Sequence, residues 1–217
     1  MNIEQARFNM IEQQIRPWDV LDQSVLSLLA VVRREDFVPP AQKALAFVDT
    51  EVPLPGGQCM LAPKVEARLL QELALQKHES VLEIGAGSGH MAALLGHKAQ
   101  QVHSLEIDAE LAHMARANLR RAGVVNVTVL NVDGAQGLAA EAPFDVIVLS
   151  GSVAEVPAAL LAQLKRGGRL VAIVGQLPIM RATLFTHSSP NDFSSVELFD
   201  TVAPRLRGFD EPSRFKF

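Results

Sequence analysis

The run Val81-Leu-Glu-Ile-Gly-Ala-Gly-Ser-Gly89 carries the strongest chemical signal in the chain. An apolar strand that ends in Gly85, Gly87 and Gly89 and then enters a helix lets the backbone turn tightly and approach a ligand closely. Dinucleotide sites begin the same way, but their fingerprint wants its third glycine where His90 stands, to pack helix against strand. Glu83 lies inside the strand, where a carboxylate is costly unless a cationic or donor group meets it.

Two further acids fall in matching places. Glu106 ends the next strand, twenty-one residues after Gly85, and a carboxylate there can accept hydrogen bonds from both hydroxyls of a ribose. A plain helix-start charge is the alternative, but Asp108 fills that role better. Asp133-Gly134 follows the third strand, where an acceptor can take a proton from an adenine amino group; an ordinary Asp-Gly turn reads equally well. All three features fall at the C-terminal ends of consecutive strands, where ligands sit in open α/β sheets.

The elements that must position these residues follow from periodicity. Ser80–Ile84, Gln101–Glu106, Val127–Asn131, Phe144–Leu149 and Arg169–Val174 read as strands, four of them almost wholly apolar, as in a parallel sheet buried on both faces. A helix around Met91–Leu95 and a second one capped by Asp108, with Leu111, Met114 or Ala115, and Leu119 on one face and Gly123 as its stop, alternate with them. Thr183–Phe185 and Ser194–Val202 read as a hairpin, with His187–Asp192 as its loop. The expectation is a doubly wound α/β fold with a mostly parallel seven-stranded sheet. Ahead of it, Ile3 to Ile15 at helical spacing up to Pro17, an Asp22-capped helix through Val32 and a short helix at Ala41–Phe47 predict an N-terminal helical extension. It serves either as a cap on the main domain or as a lid over its site. The division expected is 1–55 for this extension and 56–217 for the main domain, in one structural unit.

The glycine loop, Glu106 and Asp133 together resemble the class I S-adenosylmethionine-dependent methyltransferases, as do Pro143–Leu149 for their fourth strand and Leu164–Leu170 for the turn into the fifth. The resemblance implies S-adenosylmethionine as cofactor, with Glu83, Gly85, Gly87 and Gly89 around its methionine portion, Glu106 on the ribose, and Asp133 with Gly134 at the adenine. A narrower resemblance covers most of the chain. Leu29–Val38, Ser150–Pro157 with Glu155-Val-Pro, and Asp200–Leu206 are similar to segments of the protein-L-isoaspartate O-methyltransferases, Rossmann-like enzymes of protein repair. Gly57–Pro63 is similar to their substrate loop, which implies substrate-contacting roles for Gln58, Cys59 and Leu61. The family's active-site serine falls at Leu61, so the catalytic residue is open. His90 stands where the family often carries an aromatic residue.

What is implied is methyl transfer to the carboxylate of isoaspartyl residues in damaged proteins. A methyltransferase with another acceptor, or a cofactor-binding module without catalysis, remains the alternative. The chemistry asks for positioning and desolvation more than for a base, a triad or a metal, because the sulfonium methyl is activated and a carboxylate is already nucleophilic. An alcohol or amine acceptor would need a base, for which Asp145, Glu155 or a histidine is available.

Composition bounds the rest. The chain has 217 residues, 48% hydrophobic and 20% charged, with net charge −4, which fits no bulk polyanion binder. Cys59 is its one cysteine, so no disulfide framework or multi-thiolate zinc site is possible. The six histidines show no zinc-helix spacing, and no metal is expected. With no signal-like or membrane-spanning stretch, the expectation is a cytoplasmic protein acting on a protein or peptide, with neither nucleic acid nor membrane as partner. Phe209–Phe217 reads as an apolar tail free to dock on a partner or on its own core.

Overall fold

The computed structural model describes residues 2–189 and 192–211. Helix α1 (Ile3–Asn9) is capped by Asn2, whose side chain accepts from the Gln5 amide at 3.2 Å, and runs on through a wide π turn over Met10–Ile15. Arg16–Trp18 tightens to 3-10 geometry, and Asp19, at φ 60°, ends the run just after Pro17. Helix α2 (Gln23–Val31) starts where Asp22 predicts: its carboxylate accepts from Ser24 N at 2.7 Å. The third expected helix is a 3-10 segment at Pro40–Leu45 instead, opened by Pro40 and closed before Phe47.

Two short strands, β1 (Val52–Pro53) and β2 (Cys59–Met60), pair antiparallel across a Pro-Gly-Gly turn. Helix α3 (Pro63–Leu73), which the periodicity argument did not single out, follows with proline in its first turn, where a missing N–H costs nothing. It buries Val65, Leu69, Leu70 and Leu73.

The α/β part then runs β3 (Ser80–Ile84), α4 (His90–Lys98), β4 (Gln101–Leu105), α5 (Ala109–Arg121), β5 (Val127–Leu130), β6 (Phe144–Val153), α6 (Ala158–Leu161), β7 (Leu164–Gln176), β8 (Ile179–Ser189) and β9 (Asp192–Thr201). The seven strands lie in the order β5-β4-β3-β6-β7-β8-β9, parallel through β7 and antiparallel for the last two. The expected hairpin is thus present, and its first strand starts four residues earlier than the apolar run at Thr183 suggests. The chain winds outward from β3 to β5 and then returns to lay β6 beside β3. That reversal opens a crevice at the C-terminal ends of β3 and β6.

The two faces of the sheet are covered unequally. On one, Val81, Val102, Val146 and Val148 share a core with α3, α4, α5 and the N-terminal helices. Residues His90–Gly96 of α4 are all buried, because the N-terminal segment covers the side of α4 that the sheet does not. Met10, Ile15 and Leu29 belong to the same core as Leu69 and Leu94, so this core runs unbroken across residue 55. On the other face, Leu82, Ile84, Phe144, Ile147 and Leu170 are covered by the short α6, by residues such as Leu138, and by Leu206 and Phe209 of the C-terminal segment. No helix among the described residues is long and apolar enough to cross a membrane.

Phe144, 1% exposed, is among the largest side chains on the thinly covered face. Phe144→Ala should therefore cost about 3–5 kcal/mol in urea unfolding; a loss under about 1 kcal/mol would mean that this face tolerates a void.

Candidate active site at the glycine loop

The loop after β3 is fixed by its own backbone and by its neighbours. Gly85 N and Ala86 N both donate to Leu105 O, at 2.8 and 3.2 Å, and Gly89 N donates to Ala86 O at 2.7 Å. Gly89, at φ 84°, caps α4, and a Cβ there would lie 3.2 Å from the Ala115 backbone, so glycine lets α4 close on α5. Asn118 of α5 donates to Ser88 O at 2.8 Å.

Glu106, 6% exposed, directs its carboxylate into this loop: Oε2 accepts from Gly87 N at 2.8 Å and Oε1 from Asp108 N at 3.0 Å. Asp108 also caps α5 as expected, accepting from Glu110 N and Leu111 N. Around Glu106 the crevice is lined by Gly85, Gly87, Leu105, Ile107, Leu111, Gly134 and Ser150, with Gln58 and Cys59 from the loop ahead of α3. Gly85, Gly87, Glu106 and Gly134 are therefore brought together. Gly89 lies below the crevice as a packing residue. Asp133 stands exposed beside Gly134, with Oδ1 accepting from Ala135 N at 2.9 Å.

Glu83 is placed differently. It is wholly buried and does not line the crevice; its oxygens accept from Ser104 Oγ at 2.6 Å and Ser150 Oγ at 2.8 Å. The donors its position calls for are these two hydroxyls. Burial pushes its carboxyl up to about 7, against the two serine hydrogen bonds, which pull it down. Glu83 therefore underlies the crevice and reaches it only through Ser150.

A smaller cavity adjoins the first, lined by Cys59, Leu61, Glu66, Ala86, Ser88, His90 and Ser150. Leu61 is buried there, and Arg34 Nη2 donates to its carbonyl at 2.7 Å. Arg34 also pairs with Glu66, which receives His90 Nδ1 at 2.9 Å, while His90 packs edge-on against Phe37 at 5.3 Å. Burial pushes the Glu66 carboxyl up, but Arg34 and His90 outweigh it and leave it below the usual carboxylate range. Sequence reasoning missed Arg34 and Glu66; Arg34 belongs to the charged run Arg33–Asp36, which carries no local sign that one of its members is buried. Neither cavity is lined by a described residue before Gln58, and the N-terminal segment meets the Leu61 loop through Arg34.

Cys59 is half-buried beside Glu51, and burial, with the Glu51 charge behind it, pushes its thiol up to about 12; it is no reactive thiolate. Asp145 does not approach the site: it accepts from Ser80 N at 2.8 Å and pairs with Lys165 at 2.7 Å, where β3 and β6 begin. Glu155 lines a separate surface cleft with Phe209. Of the expected tail, Phe209 packs on the second core, and residues 212–217 lie outside the described residues.

Glu83 generates a pH dependence. Unfolded, it ionises near 4.5; folded, it holds its proton to about 7, so across that window the folded state binds more protons and loses stability as pH rises. The span corresponds to on the order of 3 kcal/mol. Glu83→Gln should flatten the decline between pH 5 and 7 in denaturant titrations and be the more stable protein at pH 8. An unchanged slope would mean that Glu83 is ionised throughout.

Comparison with known proteins bears on family and fold. The profile of the family Protein-L-isoaspartate(D-aspartate) O-methyltransferase (PCMT) matches residues 5–197. A Koribacter versatilis protein-L-isoaspartate O-methyltransferase is 42% identical over 169 residues, 78% of this chain and 76% of its own. A Pelobacter propionicus protein-L-isoaspartate O-methyltransferase is 37% identical over 198 residues, 91% of this chain and 88% of its own. Among solved structures, a Plasmodium falciparum chain assigned as a protein-L-isoaspartate O-methyltransferase, in complex with S-adenosylhomocysteine, superposes with a TM-score of 0.79. It covers 93% of this chain and 98% of its own at 20% identity, a likeness of fold. The chain belongs to the protein-L-isoaspartate(D-aspartate) O-methyltransferase family.

Proposed function

We propose that this chain is an S-adenosylmethionine-dependent O-methyltransferase that acts on the side-chain carboxylate of isoaspartyl residues in proteins or peptides. The observation that carries the reading is the Glu106 carboxylate, held by two backbone amides beside a glycine-rich loop at the switch point of the sheet. A cytoplasmic setting is part of the same proposal, resting on a sequence with one cysteine.

The residues present fit the cofactor. Glu106 is an ionisable acceptor whose geometry is already set, suited to two vicinal hydroxyls. Ile107 and Leu111 offer an apolar wall for an adenine, and Asp133, next to Gly134 but outside the lining, is an acceptor available to its amino group. Gly85 and Gly87 leave room for the methionine portion, and Ser150, tied to Glu83, keeps a hydroxyl at that end. When bound, S-adenosylmethionine supplies an electrophilic methyl on a sulfonium.

The protein's share of the work is then positioning. Arg34 holds the Leu61 carbonyl and so sets the height of the substrate loop over the glycine loop. Leu61, Met60 and Met91 line the acceptor side with apolar surface, which excludes water from a nucleophilic carboxylate. The serine hydroxyl that the family resemblance leads one to expect at 61 is missing. Loss of one such donor costs on the order of 1.5–3 kcal/mol, roughly ten- to a hundred-fold in rate.

A methyl-transfer assay with an isoaspartyl peptide and its aspartyl twin tests this directly. Slow transfer to the isoaspartyl peptide alone is expected, with Leu61→Ser faster. Glu106→Ala should weaken S-adenosylhomocysteine binding by roughly ten- to a hundred-fold, the loss of a charged hydrogen-bond acceptor. A buried Leu61 without a donor favours one second reading, a different methyl acceptor; cofactor binding with both peptides inert would select it.

A further inference from the structure

His90 carries an atom without a partner. The residue is 2% exposed, and its Nε2 is buried with no hydrogen-bond partner among the described residues; such orphans are rare in folded proteins. Nδ1 lies 2.9 Å from Glu66 Oε2 and 3.4 Å from Arg34 Nη1. Glu66 is held below the usual carboxylate range, so the shorter contact meets a carboxylate, and Nδ1 carries the proton. His90 lines the small cavity beside the Glu106 crevice, and Cys59, Gly85, Gly87 and Ser150 line both. That cavity measures about 20 Å³, room for one oxygen-sized group. Its other polar side chains are mostly engaged. Cys59 Sγ turns to Glu51 at 3.5 Å, Ser150 Oγ donates to Glu83 at 2.8 Å, and Glu66 is taken by Arg34 and His90. Leu61 brings no donor, which leaves His90 and the Ser88 hydroxyl.

We propose that His90 binds the acceptor carboxylate, its Nε2–H donating to one carboxylate oxygen in place of the serine hydroxyl missing at 61. The inference rests on the cofactor and isoaspartyl readings above. A carboxylate entering an apolar pocket needs a donor. A histidine whose Nδ1–H is committed to Glu66 has a second N–H only as imidazolium. Glu66 then faces that cation from one side and the substrate from the other, so substrate binding and His90 protonation reinforce each other. One carboxylate oxygen accepts from His90 while the other forms the bond to the methyl carbon, whose former bonding pair stays with sulfur. His90 keeps its proton throughout, and the product ester, being neutral, is held less tightly.

Acceptor affinity therefore falls as pH rises and His90 gives up its proton, because neutral His90 presents a lone pair to the carboxylate. The charged groups in contact with His90 are Glu66 of α3 and Arg34 of the N-terminal segment. Phe37 covers a ring face. Cys59 faces the same cavity from the loop, and Glu83 lies behind Ser150. Cys59 keeps its proton to about 12 and Glu66 stays ionised, so neither titrates near neutrality. Glu83, protonated to about 7, does, and its profile must be told apart from that of His90. The negative charge that His90 meets is greatest before methyl transfer, so losing the donor raises KM more than it lowers kcat.

The test is steady-state methyl transfer to an isoaspartyl peptide at saturating S-adenosylmethionine, from about pH 5.5 to 8. Wild type, His90→Gln and His90→Phe are compared, each with a melting curve and an S-adenosylhomocysteine titration. Wild-type KM for the peptide should rise about ten-fold across the range, with kcat changing less than about two-fold. His90→Gln, which keeps an N–H donor that does not titrate, should give a KM flat with pH. His90→Phe, which keeps a ring against Phe37 without a donor, should show the wild type's high-pH KM throughout. A wild-type KM independent of pH, or a rise that persists in His90→Phe, would overturn the assignment, the second by placing the dependence on Glu83. If His90→Phe does not fold, His90→Gln decides alone, and a rise like the wild type's overturns it. A kcat that climbs with pH and collapses in both variants would also overturn it, by making His90 a base. Folded proteins that bind S-adenosylhomocysteine but leave the peptide unmethylated at every pH would overturn the isoaspartyl reading and the assignment with it. Failure of all three to bind that ligand would overturn the cofactor reading as well.

Discussion

Two backbone amides, those of Gly87 and Asp108, donate to the Glu106 carboxylate, one to each oxygen, and the rest of the site is arranged around that contact. A buried acid needs donors, and the protein supplies them from the loop that must itself be held still. The glycine loop is thereby tied to the start of α5, while Gly85 N and Ala86 N, bonded to Leu105 O, tie it to the end of β4. Without Glu106 the Gly87 amide would lose its partner, and without the loop the buried carboxyl would be short of a donor. Position in the sheet makes this possible: β3 and β4 end side by side at the point where the chain turns back to β6.

Beneath this contact, polar groups that looked chemical turn out to support. Glu83 bonds two serines from neighbouring strands, clamping β4 and β6 to β3 below the crevice. Arg34, Glu66 and His90 make a second buried polar unit joining the N-terminal segment, α3 and α4 behind the Gly57–Pro63 loop. Such groups are expensive to bury and expensive to orphan, so each specifies one arrangement of its neighbours. The Gly57–Pro63 loop is thus held through Arg34 by a segment that lines neither cavity.

What was legible in the sequence was local. Asp22 and Asp108 cap helices because a cap needs only residues two or three positions away. The glycine loop and Glu106 were legible because strand, turn and helix follow one another without a break. The partners of Glu83 were not, since Ser104 and Ser150 arrive from strands whose register no single stretch encodes. The same holds for Leu206, which meets Gly85 across more than half the chain. β8 was read short because its start follows Gly175 and Pro178, residues that locally signal a turn, whereas pairing with β7 from Gln176 onward overrides them. Leu61 was legible as a departure from the family's loop; that its carbonyl is the anchor for Arg34 was not.

A crystal structure of the full-length protein grown with S-adenosylhomocysteine tests the prepared cofactor site most directly. The ligand should lie along Gly85 and Gly87 with its ribose hydroxyls on Glu106 and its adenine beside Asp133. A ligand bound elsewhere, or one whose ribose lies away from Glu106, would contradict it.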